Sequence, residues 1–210
     1  MTAAPCVECN SAGSALLLVI RGNSGSGKTT TAREVRRRYG ARGLALVEQD
    51  MVRRVILREH GGGGGSDRVA PGLIATMVQT ALDGGYHVIL EGILHTGQYG
   101  DPLRELIAKH PGRTACYFMD VSFEETVRRH RRRAEPIPVE PETMRSWYAG
   151  QDLLGVPGEQ VIPEDMGFAD VVMTILHASG LAQAAPLAPC PTRCARCTEK
   201  AAATTVPTES

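Results

Sequence analysis

Lysine is scarce in this 210-residue chain, three against twenty arginines, and asparagine occurs only at positions 10 and 23. Aromatic residues make up 4% of the chain, which argues against the stacked aromatic platforms that hold single-stranded nucleic acid. No charge of one sign predominates, because Lys plus Arg and Asp plus Glu both number 23. The resulting zero net charge supplies no overall field toward nucleic acid or an anionic membrane. Long hydrophobic runs are also missing, and the stretch from Ala15 to Ile20 is far too short to span a bilayer. The N-terminus lacks the basic and apolar regions of a signal peptide, so a cytoplasmic location with no membrane partner is expected.

What is there, 42% hydrophobic and 22% charged residues, suits one soluble globular domain with a sizeable core. Its organising stretch runs from Leu16 to Thr29, LLLVIRGNSGSGKT, an apolar strand feeding a glycine-rich loop. Gly22, Gly25, Gly27, Lys28 and Thr29 fill the Walker A pattern G-x-x-x-x-G-K-[ST], with a strand before it and a helix after it. In such a loop successive backbone N–H groups point at phosphates, and the helix that follows adds its positive end. Gly22, Asn23, Ser24, Gly25, Ser26, Gly27, Lys28, Thr29 and Thr30 are therefore expected to line a bound ATP. Lys28 would neutralise the phosphates and the Thr29 hydroxyl would ligate Mg2+.

Taken in order, residues 1 to 13 are small, polar and aperiodic and read as a flexible leader. Strands are expected at Ala15 to Ile20, Leu44 to Val47, His87 to Leu90, Thr114 to Met119 and Gln160 to Ile162. Helices are expected from Lys28 to about Tyr39, Met51 to about Glu59, Pro71 to Leu82, Asp101 to about His110, the Ser122-x-x-Glu125 capping box onward, Pro141 to Tyr148, and Phe168 to Gly180. Asp101-Pro102 supplies an N-cap and first helical residue, and the five glycines at 61 to 65 read as a hinge or flexible loop. The arginine-rich helix broken at Pro136 and Pro138 suggests a mobile lid. From residue 182 the chain is an aperiodic Ala/Pro/Thr/Cys tail, leaving one domain over residues 14 to 181. Alternating strands and helices imply a three-layer α/β fold with a mainly parallel five-stranded sheet.

Six cysteines in a cytoplasmic chain point to metal binding or plain thiols rather than disulfides. Cys116 lies in an apolar strand and belongs to the core. Cys6, Cys9, Cys190, Cys194 and Cys197 lie at the two ends and are expected to be reactive tail thiols, with a four-thiolate zinc site as the alternative.

A phosphate loop alone does not separate a kinase from a GTPase switch or a motor ATPase. Two asparagines, at 10 and 23, leave no room for the Asn-Lys-x-Asp sequence that reads guanine. The third and fourth strands end on Glu91-Gly92 and Asp120-Val121, not on the Asp-Glu pair of motor ATPases. With GNSGSGKT at 22 to 29, EQD at 48 to 50, LEG at 90 to 92 and arginines at 128 to 133, the chain resembles the small P-loop kinases. It is most similar to the group that contains chloramphenicol phosphotransferase and the zeta toxins. The resemblance spans roughly Leu16 to Leu181 and implies an arginine-rich lid. It also implies that Asp50 accepts the proton of the acceptor hydroxyl, and that Glu91 binds the acceptor or holds magnesium through water. The competing readings are Asp50 as the N-cap of the next helix and Glu91 as a turn carboxylate, and function is favoured because both sit at strand ends facing the phosphate loop. Of the lid arginines, Arg128 and Arg132 share a helical face and are expected to steady the phosphoryl group in flight, the others forming a solvated face.

These readings converge on an ATP- and Mg2+-dependent kinase that phosphorylates a hydroxyl of a small molecule: an antibiotic, nucleoside, sugar or nucleotide-sugar. Arg53 and Arg54, about one turn beyond Asp50, suit an acceptor that carries an anion, or else form a solvated face. A polynucleotide 5′-hydroxyl kinase is a rival that the charge and aromatic content count against. A regulator that binds nucleotide without turnover is another, and an acceptor-dependent rate separates it from an enzyme.

Overall fold

A strand that is buried on both faces must be apolar at consecutive positions, and β1 (Leu17–Gly22) is buried at all six. In the computed structural model, which describes residues 15–59, 69–132 and 139–185 together with 195, 198 and 199, β1 is the central strand. The elements that follow are α1 (Lys28–Tyr39), β2 (Leu44–Glu48), a π-helical segment (Met51–Ile56), α2 (Val69–Asp83), β3 (His87–Gly92) and α3 (Thr96–Lys109). Then come β4 (Thr114–Asp120), α4 (Phe123–Arg131), α5 (Pro141–Trp147), β5 (Gln160–Pro163) and α6 (Phe168–Ala178). The sheet has five strands in the order β2-β3-β1-β4-β5, and every pair is parallel.

Alternation along β1 divides the core into two layers. Leu18 and Ile20 join Ala32, Val35 and Tyr39 of α1 and Val172, Ile175 and Leu176 of α6. Leu17 and Val19 face the other way, onto Ile74 and Val78 of α2 and Tyr99, Leu103 and Leu106 of α3. Each such buried aliphatic side chain contributes roughly 1.5–3 kcal/mol. The three-layer α/β fold expected from the alternation of strands and helices is the fold observed, and with the Walker A loop between β1 and α1 it is the P-loop NTPase fold. Among the described residues, no helix is long and apolar enough to cross a membrane.

Several boundaries differ from the sequence expectation, each for a physical reason. α3 starts at Thr96, not at Asp101, and Pro102 lies inside it. The cap is remote: the Asp152 carboxylate accepts hydrogen bonds from the Thr96 backbone N–H and from its hydroxyl. α2 begins two residues before Pro71, which its first turn tolerates because N–H groups there have no helical acceptor. The segment after β2 is wound as a π-helix, with Leu57 N–H donating to Val52 O at 2.9 Å. The Ser122 capping box is half made. Its hydroxyl accepts from Glu125 N–H, but Ser122 N–H donates to Glu164 because Glu125 is drawn to arginines. Residues expected to begin the tail pack on the body, with Ala182 and Ala184 against the core and the Ala185 carbonyl accepting from the Tyr39 hydroxyl at 3.3 Å. Cys116 is buried in β4 as expected. The leader, the glycine run at 61 to 65, residues 133 to 138 and Cys6, Cys9, Cys190, Cys194 and Cys197 lie outside the described residues, and the zinc alternative with them.

Candidate active site

The C-terminal ends of β1, β2 and β3 bring the motif residues together, as parallel sheets do with their ligands. Directly after β1 the chain turns tightly into α1. Gly25 has φ +84°, and a Cβ there would stand 2.6 Å from the Thr126 carbonyl oxygen, so the turn requires glycine. Lys28 is nearly buried, and its ammonium donates to the Asn23 carbonyl at 3.2 Å, folding the charge back over the loop. The Ser26 hydroxyl is buried with no hydrogen-bond partner among the described residues. A loop of this shape, with a cation folded across it and an unsatisfied hydroxyl inside it, fits a nucleotide phosphate.

Three carboxylates lie at or just past the ends of β2 and β3, although among the described residues no three acidic, His or Cys side chains are grouped closely enough to hold a metal ion by themselves. Glu48 and Glu91 are register partners on β2 and β3, and Asp50 lies two residues past Glu48. The Thr29 hydroxyl donates to Glu91 Oε2 at 3.0 Å, so the two residues expected to serve magnesium are in contact. Oxygen donors of this kind suit Mg2+, which would take the Thr29 hydroxyl and, through water, the Glu91 carboxylate. Burial pushes the Glu91 carboxyl above its ordinary value of 4.5. The Lys28 ammonium and the Thr29 hydroxyl oppose the rise, and Glu48 and Asp50 add to it.

Asp50 occupies the N-cap position of the π-helical segment, but its side chain makes no capping bond. The carboxylate is two-thirds exposed and lies 3.6 Å from the Arg54 guanidinium. Arg53 reaches Glu59 at 3.5 Å, and Arg33 makes a bidentate pair with Glu48 at 2.6 and 3.0 Å. Beyond that pair, a groove of about 560 Å³ opens between α1 and β2, lined by Arg33, Arg36, Arg37, Glu48 and Met51 among others.

On α4 the residues differ in where they reach. Arg128 is turned to solvent and pairs with Glu125, and Arg132, the C-cap residue, is exposed. Arg129, one position round the helix, donates to the Ser26 carbonyl of the phosphate loop at 3.0 Å and to the Glu164 carbonyl at 3.1 Å. Asp120 accepts from the Gln151 side-chain amide at 3.2 Å.

Sequence reasoning missed two positions. Arg21 reads as one polar residue ending an apolar strand, yet it is fully buried and ion-paired with Asp152 at 2.8 Å and Glu159 at 3.4 Å. Its partners are more than a hundred residues away, so no local pattern announces them. Gln49 is buried, and its side-chain oxygen accepts from Leu94 N–H at 3.2 Å. A Cβ on Gly92 would come within 2.5 Å of Gln49, which explains the glycine after Glu91. The Asn23 side chain, expected at the nucleotide, is engaged with the backbone of Ala149, donating to its carbonyl at 2.8 Å and accepting from its N–H at 3.0 Å.

Comparisons with known proteins bear on the fold and the family. The most similar solved folds include a sugar kinase from Janibacter sp., 21% identical over 80% of this chain and 96% of that one, with a TM-score of 0.62. They also include the Mycobacterium tuberculosis APS kinase CysC in complex with AMPPNP and APS, 15% identical over 80% and 98%, with a TM-score of 0.61. A gluconokinase from Sinorhizobium meliloti is 19% identical over 80% and 92%, with a TM-score of 0.57. At such identities these likenesses concern the fold. No curated protein matches the chain in sequence. The family described as AAA domain matches residues 17–151, from β1 through the phosphate loop, the acids of β2 and β3 and the arginines of α4. This breadth is coarser than a likeness to the chloramphenicol phosphotransferase and zeta toxin group, but it covers well over half of the 210 residues, and the chain belongs to the AAA domain family.

Proposed function

We propose that this protein is an ATP-dependent phosphotransferase that moves the γ-phosphate to a hydroxyl of a small molecule. The observation that carries the reading is the Thr29–Glu91 hydrogen bond of 3.0 Å, which joins the phosphate loop to the carboxylate near the end of β3, at the end of the sheet where parallel strands bind ligands. Bound Mg2+ would supply charge neutralisation on the phosphates, held by Thr29 and, through water, by Glu91. Lys28 orients the phosphates. Asp50, whose carboxylate is not spent on capping, accepts the proton of the acceptor hydroxyl. Arg129, already in contact with the phosphate loop, is better placed than Arg128 or Arg132 to spread charge on the phosphoryl group.

The acceptor is a polyol or sugar in this reading. Arg33, Arg53 and Arg54 each meet a carboxylate of the protein itself, which favours a neutral, hydroxyl-rich molecule over an anionic one. The sugar kinase among the similar folds accords with a hydroxyl-rich acceptor. An antibiotic with free hydroxyls, as in the chloramphenicol phosphotransferase likeness, fits the same chemistry.

Transfer of label from γ-labelled ATP to a panel of sugars, sugar acids, nucleosides and hydroxylated antibiotics tests this directly. The expected result is acceptor-dependent ATP consumption that falls by about 10³-fold in Lys28→Ala. Tight nucleotide binding, with no acceptor raising turnover above the leak, would instead support a non-catalytic regulator.

A further inference from the structure

Arg21 precedes the first glycine of the phosphate loop, and a guanidinium carries five N–H donors. All of them are used. Nε and Nη2 donate to the Leu94 carbonyl at 3.2 and 2.9 Å, Nη2 also to Asp152 Oδ2 at 2.8 Å, and Nη1 to the Asp152 carbonyl at 2.7 Å and to Glu159 Oε1 at 3.4 Å. The Asp152 carboxylate in turn accepts from Thr96 N–H at 3.0 Å and from the Thr96 hydroxyl. One acid therefore holds both the strand that enters the phosphate loop and the first turn of α3. A local Ser, Thr, Asp or Asn at position 95 would cap α3 equally well, but only a remote carboxylate ties that helix to the loop.

The intervening chain is held under backbone strain. Leu94 sits in the left-handed region at φ +47°, with its N–H on the Gln49 side chain and its carbonyl on Arg21. Gln49 is the neighbour of Asp50, so residues 93–96 are wired on one side to the expected catalytic base and on the other to the phosphate loop. Asn23 adds a tie from the loop to Ala149, three residues before Asp152.

We propose that Asp152 is a positioning residue which, through Arg21 and Thr96, couples nucleotide binding at the phosphate loop to the placement of residues 93–96 beside the acceptor. The proposal rests on the phosphotransferase reading for the acceptor, but its test needs only nucleotide. Hydrogen exchange is followed in the full chain with and without Mg2+ and the non-hydrolysable ATP analogue AMP-PNP. In the parent protein, binding is expected to slow exchange at residues 22–30 and also at 94–98. Asp152→Asn should keep analogue affinity within about threefold and keep protection at 22–30, while the binding-induced protection at 94–98 falls by about tenfold. A merely structural role would speed exchange equally in free and bound protein and leave that ratio unchanged. Thr96→Val removes the hydroxyl bond of the Thr96 arm, keeps its backbone bond and leaves the Arg21 pair intact, so it serves if Asp152→Asn folds poorly, and it should lower the same ratio. Protection at 94–98 that is absent in the parent, or that survives in the variants, would overturn the coupling. Failure of the parent to bind the analogue would overturn the phosphotransferase reading itself.

Discussion

Burial lifts the Glu91 carboxyl above 4.5, Lys28 and Thr29 pull it down, and the neighbouring Glu48 and Asp50 push it up again. A carboxyl whose folded pKa exceeds its unfolded value binds its proton more tightly in the native state, so it withdraws stability as pH rises. The deficit is absent below about pH 4.5, opens through the folded pKa and is complete above it. Glu91→Gln removes it and keeps an oxygen for the Thr29 hydroxyl. Melting curves without nucleotide or magnesium should therefore place Glu91→Gln above the parent at pH 8, with the gap closing toward pH 4, and a variant that melts lower at pH 8 contradicts this. Turnover should fall in the same variant, because in the proposed reading the acid held there at a cost in stability serves the bound cation. Lys28, Thr29 and Glu91 were legible in the sequence because a phosphate loop and a strand end are local patterns. Arg21 was not, since its meaning lies in Asp152 and Glu159.

Helical periodicity predicts Arg128 and Arg132 on one face, but α4 ends at Arg131 and Arg132 is its C-cap. Which face meets the loop depends on how α4 docks, and Thr126 and Val127 are the residues it buries. That docking turns Arg129 toward Ser26 and leaves Arg128 in water with Glu125, whose carboxyl is held at about 2 by hydrogen bonds from Arg128 and Arg129. Arg129→Ala is expected to lower acceptor-dependent turnover by about 10²-fold, and Arg128→Ala by less than about threefold. Arg129→Lys should recover only part of the loss, because an ammonium lacks the planar fork. Equal effects of the two alanine variants in steady-state kinetics would remove Arg129 from the site. The start of α3 was illegible for a related reason, its cap being fifty-six residues away at Asp152.

Across the whole molecule, the alternation of apolar strands with amphipathic helices announced parallel strands between helical layers. It did not announce that β3 inserts between β1 and β2, since order is decided by which crossovers pack and not by any strand's own sequence. That insertion sets Glu91 against Ile20 on one side and Glu48 on the other, and so assembles the site. In the proposed reading the activity belongs to this assembly: the phosphate loop follows β1, the proposed base follows β2, the acid proposed for the cation ends β3 and the proposed arginine comes from α4. Asp50→Asn tests it most directly. The amide is nearly the same size and disturbs no cap, because the Asp50 side chain makes none, but it has no basic oxygen for the acceptor proton. At saturating Mg-ATP and acceptor, turnover should fall by about 10²-fold while AMP-PNP affinity stays within about threefold of the parent. Acceptor phosphorylation at the parental rate in Asp50→Asn would contradict the account.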